Sequence, residues 1–91
     1  MNIDLEKINE IYGIEMIKLI KNNLNNVNKN LNYFNTIGFD DYFDYFEKLP
    51  MLFIIDFSEF KIKIDTLINK LGHDYVDIIE NDIGVLEDII W

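Results

Sequence analysis

Six apolar residues, Ile17, Ile20, Leu24, Val27, Leu31 and Phe34, recur at alternating steps of three and four. A strand places one face at every second residue, whereas a helix of 3.6 residues per turn returns to a face after three or four. The stretch therefore reads as a helix whose apolar seam packs lengthwise against other helices. The pattern extends backwards through Leu5, Ile8, Tyr12 and Met16, giving a helix over approximately 3–36 with Gly13 as the point of breakage. Its outer face is mostly Asn, with eight between Asn22 and Asn35. Asn is a mediocre helix former, so packing rather than propensity must hold this helix. Gly38 supplies a C-terminal stop.

The same spacing organises the rest of the chain. Asp40 or Asp41 caps a helix over 41–49, ended by Pro50. Its apolar set, Tyr42, Phe43, Tyr45, Phe46 and Leu49, nearly encircles it, as expected of a helix buried or held in an interface. Phe57, Phe60, Ile64, Leu67 and Leu71 predict a helix over 58–71, with Ser58 as N-cap and Gly72 as C-cap. Asp74 opens a last helix over 74–90, with apolar Val76, Ile79, Ile83, Leu86 and Ile90. Gly84 is its weak point, costing about 1 kcal/mol relative to Ala. Residues 51–57 leave two readings open, a short buried strand or a helical turn after the proline. A lone strand has nothing to pair with, which favours helix or irregular chain. The expectation is an all-α single domain over 1–91, a small bundle of about four helices. Gly38 and Gly72 begin similar stretches, but any capped amphipathic helix produces such offsets, and no function follows from them.

Composition excludes several classes of function. The chain has 91 residues and no Cys, so neither a disulfide framework nor a cysteine zinc site is available. No signal-peptide pattern opens the sequence, and the longest apolar run, residues 51–55, is far short of the ~20 residues of a membrane span. The expected setting is the cytoplasm of the producing or host cell, with no membrane partner. The absence of Ala and Arg beside abundant Ile, Asn and Lys matches the codon usage of an AT-rich genome, such as that of a phage or mobile element. Codon usage does not explain the acidity. Seventeen Asp and Glu against eight Lys give a net charge of −9, which disfavours direct binding to nucleic acid.

No constellation names a reaction. Asp40-Asp41-Tyr42-Phe43-Asp44 matches the DDxxD pattern with which terpenoid synthases hold magnesium and diphosphate, and carboxylates at such spacing suit a hard cation. The large cavity and the basic residues such enzymes need are missing, so the acids read as a helix N-terminus. His73 is the one His and Ser58 the one Ser, which leaves no nucleophile-base-orienter set in sequence. No EF-hand loop and no glycine-rich phosphate loop occur. The expectation is a non-enzyme without cofactor or metal.

Two features remain. Residues 1–36 hold four acids and four lysines, while residues 37–91 hold thirteen acids and four lysines and carry the whole −9. On a continuous helix, Asp77, Glu80, Glu87 and Asp88 project away from the apolar face, about 5 Å apart per turn, near the spacing of phosphates on a strand. Ten of the thirteen aromatics lie between Tyr33 and Phe60, and the apolar tail Ile89-Ile90-Trp91 adds another sticky end. Acids beside aromatics suit a protein–protein interface. The expected function is inhibition of a basic protein partner, such as a nuclease, toxin or defence complex, in the manner of a DNA mimic, an anti-CRISPR or an immunity protein. The expected contact residues are Asp40, Asp44, Glu47, Asp77, Glu80, Glu87 and Asp88, with Tyr42 or Tyr45 as anchors. The alternative is a structural protein that self-assembles, for example as a homodimer, through the 17–34 seam.

Overall fold

The structure, a computed structural model, describes the backbone of residues 5–90 and the side chains of residues 5–89. The predicted helix start at residue 3, the Ile90 side chain and Trp91 of the apolar tail lie outside the described residues. Within them all the regular structure is helical: α1 (Leu5–Tyr12), α2 (Ile14–Asn22), α3 (Leu24–Thr36), α4 (Tyr42–Lys48), α5 (Pro50–Phe53), α6 (Phe57–Leu71), α7 (Tyr75–Asn81) and α8 (Gly84–Ile90), with no strand among the described residues. The all-α expectation holds, but eight helices replace four because the long segments break.

The first segment breaks twice. Gly13 adopts φ 90° and ψ 176°, a conformation open almost only to glycine, and separates α1 from α2. Asn23 makes the second break, which the periodicity did not reveal. Its amide Nδ2 donates to Leu19 O at 2.8 Å and its backbone N–H to Leu19 O and Ile20 O, so the turn ends on its own side chain. The last segment also breaks. Asp82, at φ −145° and ψ 89°, ends α7, and its Oδ1 accepts the N–H of Gly84 at 3.0 Å to start α8. Gly84 therefore opens a helix rather than weakening the middle of one. Residues 51–57 resolve as the short helix α5 after Pro50, followed by a bend. Asp56, not Ser58, occupies the N-cap position of α6.

Five of the six seam residues, Ile17, Ile20, Val27, Leu31 and Phe34, are buried against the chain's own helices, and Leu24 is exposed. That seam is filled from within and offers no free face to a second copy. Phe34 is the hub of an aromatic core. It stacks on Phe39 at 4.1 Å between centroids and meets Tyr45 and Phe53 edge-on at 5.2 and 5.3 Å. Phe46 and Phe60 extend the cluster through Phe53. The aromatics between Tyr33 and Phe60 are thus mostly core, as a domain this small requires of its largest side chains.

Asn30 is fully buried in this core. Its Nδ2 donates to Phe53 O at 2.9 Å and Ile55 O at 2.8 Å, satisfying carbonyls that the bend after α5 leaves without helical partners. One turn earlier, Asn26 Oδ1 accepts the N–H of Phe57. Two members of the Asn face therefore hold the α5–α6 corner, while Asn22, Asn25, Asn28, Asn32 and Asn35 are exposed. α1 is in turn tied to the end of α4. The Tyr12 hydroxyl donates to Glu47 O and Lys48 O at 2.7 and 2.9 Å, and Lys7 pairs with Glu47 at 3.0 Å.

Candidate acidic interface

Pro50 ends α4 and the Gly72 turn starts α7 anew, so these two short helices lie across the core from different parts of the chain. Between α4 and the α7–α8 corner is an open cleft of about 220 Å³. Its exposed rim carries the carboxylates of Asp41, Asp44 and Glu80 and the ammonium of Lys48. Its floor is Tyr45 and Ile79, both buried, with half-buried Ile83 beside them. Helical spacing explains the rim: Asp41, Asp44 and Lys48 follow each other at steps of three and four and share one face of α4. Asp41 holds the N-cap position of α4, yet its carboxylate makes no capping hydrogen bond. Three carboxylates against one ammonium leave the lining net negative.

Tyr45 reports the field of this cleft. Burial, then the charges of Asp41, Glu80 and Asp44, push its phenol up to about 12. The residue is 6% exposed, and its ring packs edge-on against Phe34 and Phe39. Tyr45 is therefore a core residue with little free surface, and the expectation of a surface anchor is corrected. An aromatic at a buried helix position is spent on the core first. Tyr42, the other expected anchor, is half-buried and lies against Phe43 at 4.7 Å.

The expected contact acids do not form one stripe. The break at Asp82 turns α8 away from α7 and divides them. Asp44 and Glu80 meet in the cleft, with exposed Asp40 beside Asp41 and exposed Asp77 one turn before Glu80. Glu87 instead lines a separate pocket with Tyr12, Met16, Pro50 and Met51. Asp88 lies on a groove between α6 and α8, about 510 Å³ in volume, whose walls include Ile62, Leu67, Val85 and Ile89 and whose rim includes Lys63 and Lys70. Glu47 is engaged with Lys7 and is not a free surface acid. Sequence reasoning placed Asp41 in the metal motif and as a candidate helix cap, not among the contact residues, and gave Lys48 no part in the interface. The signal for both was their three-four spacing with Asp44.

Ser58 lies in the first turn of α6, where it donates to Asp56 Oδ2, and His73 follows the end of the same helix. Fifteen residues at ~1.5 Å rise put them on the order of 20 Å apart. Among the described residues no cluster of three or more His, Cys, Asp or Glu side chains is arranged to hold a metal ion. No helix of the described residues is long and apolar enough to cross a membrane. Comparison with protein families, curated proteins and solved structures returned no match to this chain.

Proposed function

We propose that this chain is a non-enzymatic binding protein that docks its acidic α4–α7 face on a basic protein surface and inhibits its partner by occupying that surface. The partner class is a nuclease, toxin or defence complex with a cationic nucleic-acid groove. The observation that carries the reading is the cleft itself. Residues from two separate helices bring Asp41, Asp44 and Glu80 together over an apolar floor, with Asp40 and Asp77 beside them. Clustered like charges repel one another and add nothing to folding, whereas a cationic partner relieves that repulsion and is steered towards it. A version in which one straight helix copies phosphate spacing needs an unbroken helix over 74–90, and the break at Asp82 removes it.

Capture experiments with immobilised wild-type chain and basic nuclease effectors test this reading. The Asp44→Asn/Asp77→Asn/Glu80→Gln variant is expected to lose capture, and the Glu87→Gln/Asp88→Asn variant to retain it. Wild-type capture is expected to weaken as salt rises, because the Debye length falls from about 10 Å at 0.1 M to about 3 Å at 1 M. Equal capture by both variants sinks the proposal.

A further inference from the structure

We infer that α1 is an exchangeable element: it opens at Gly13 and takes the place of α1 on a second copy of this chain, giving a reciprocal dimer. The inference is independent of the basic partner proposed above. First, the link is minimal. Gly13, at φ 90° and ψ 176°, is the one residue between α1 and α2. That backbone region is open essentially to glycine alone, and short hinges held under such constraint invite exchange of the element they carry. A Cβ added at residue 13 would meet nothing within 4 Å beyond its chain neighbours, so no packing on that side holds the link closed.

Second, the residues on both sides also describe an unbroken helix. Leu5, Ile8, Tyr12, Met16 and Leu19 follow at steps of three, four, four and three, one stripe running through residue 13. The closed chain buries that stripe incompletely. Ile8 is fully buried and Leu5 and Met16 are half-buried, but Tyr12 and Leu19 are 38% and 40% exposed. Ile11 and Ile14, on either side of the link, are each 57% exposed. In a reciprocal dimer the two straightened links pass each other at the two-fold axis. Ile11, Tyr12 and Ile14 of one copy then lie beside those of the other and lose surface to water.

Third, the ties of α1 to α4 form as well between chains as within one. They are the bonds from the Tyr12 hydroxyl to Glu47 O and Lys48 O and the pair of Lys7 with Glu47. Exchange conserves them together with the burial of Ile8, so it costs mainly the entropy of association. Charge does not oppose the approach, although the chain carries −9. Residues 5–22 hold Glu6, Glu10 and Glu15 against Lys7, Lys18 and Lys21 and are balanced.

Sedimentation equilibrium of the full chain tests the exchange. Wild type is expected to dimerise with a dissociation constant of about 0.1–1 mM. Gly13→Ala should lower that constant by about a hundredfold or more, because Ala is strained in the closed link and favoured in the straight helix at both hinges. Inserting Gly-Gly-Ser after Gly13 should weaken the dimer, since a longer link closes without constraint.

The variants Lys7→Glu and Glu47→Lys identify the contact. Each alone sets like charges face to face, in the closed chain and in its homodimer. An equimolar mixture restores both pairs only in a reciprocal heterodimer. With one variant labelled with nitrogen-15, cross-linking and mass spectrometry should find about tenfold more heterodimer than either homodimer. The exchange is overturned if folded Gly13→Ala stays monomeric up to about 1 mM, the upper end of the wild-type range. It is overturned equally if the mixture at that concentration shows no excess of heterodimer, the result expected of two closed chains in surface contact. The mixture keeps the native link, so it decides the matter even if Gly13→Ala does not fold.

Discussion

At the scale of single residues, Asn30 shows how a polar side chain becomes structural. Both of its partners are carbonyls, so the amide NH₂ must face them, and its Oδ1 is buried without a partner. Asn30→Leu should cost about 2 kcal/mol in urea unfolding, because two buried carbonyls lose their donor. Asn30→Asp should cost more, and its cost should fall on acidification from pH 7 to about pH 5. A carboxylate facing two carbonyls keeps its proton in the fold, so its folded pKa lies above the unfolded value and stability drains away as pH rises. An Asn30→Asp variant equally stable at both pH values refutes this account. The inward position was legible in principle, since Asn30 lies three residues after Val27 and four before Phe34. What it would meet was not legible, because its partners lie 23 and 25 residues away on a bend that no local pattern predicts.

At the scale of elements, breaks matter more than helices. The Asp82–Gly84 corner separates two parts of an apolar pattern that reads as continuous. An added Cβ at residue 84 would sit 2.9 Å from Asp82 Oδ1, so the cap and a side chain compete for one place. Asp82→Ala should cost about 1 kcal/mol for the lost cap. Gly84→Ala alone should come out near or below zero, its gain in helix propensity, at most about 1 kcal/mol at this first helical position, cancelled by displacement of the carboxylate. In the Asp82→Ala background the same substitution should show its full gain, a coupling of about 1 kcal/mol in a double-mutant cycle. Additive thermal-melt results would contradict the corner as described. Apolar spacing located α6 and the stretch from α1 to α3 because burial repeats with the helical period. It missed Asn23 and Asp82 because a side-chain hydrogen bond to the backbone leaves no trace in apolar spacing.

Across the whole molecule, the radius of gyration of 12.7 Å is close to the about 12 Å expected of a folded chain this long. Two tyrosines couple that packing to pH. Tyr33, through burial and its hydrogen bond to Asp65, and Tyr45, through burial and the carboxylates of the cleft, are each pushed up to about 12. Their folded pKa values exceed the value of 10.0 for a free phenol, so their contribution is full below pH 10 and is lost as pH rises through 12. Stability should fall steeply over that window, by about 2 kcal/mol for Tyr45 alone, and Tyr45→Phe should flatten the fall. Asp65 acts in the opposite direction. The hydrogen bond from Tyr33 and then the neighbouring Lys61 hold its pKa below the usual carboxylate value, so its contribution is present at neutral pH and lost on acidification. Chemical unfolding across pH checks both limbs, and a flat alkaline limb in wild type rules out the tyrosine account.

The amino-acid sequence alone determined the helical class, the approximate places of the helices and the confinement of the net charge to residues 37–91, because these depend only on which residue types recur at which spacing. Tertiary structure alone decided that Tyr45 belongs to the core, that Glu47 is consumed by Lys7, and that Asp41 and Asp44 face Glu80 while Glu87 and Asp88 face elsewhere. The physical reason is range. Helical periodicity is a property of neighbours within two turns, whereas the cleft sets Glu80 beside Asp44 and Asp41, 36 and 39 positions away, and their meeting depends on how every intervening helix is broken, capped and packed.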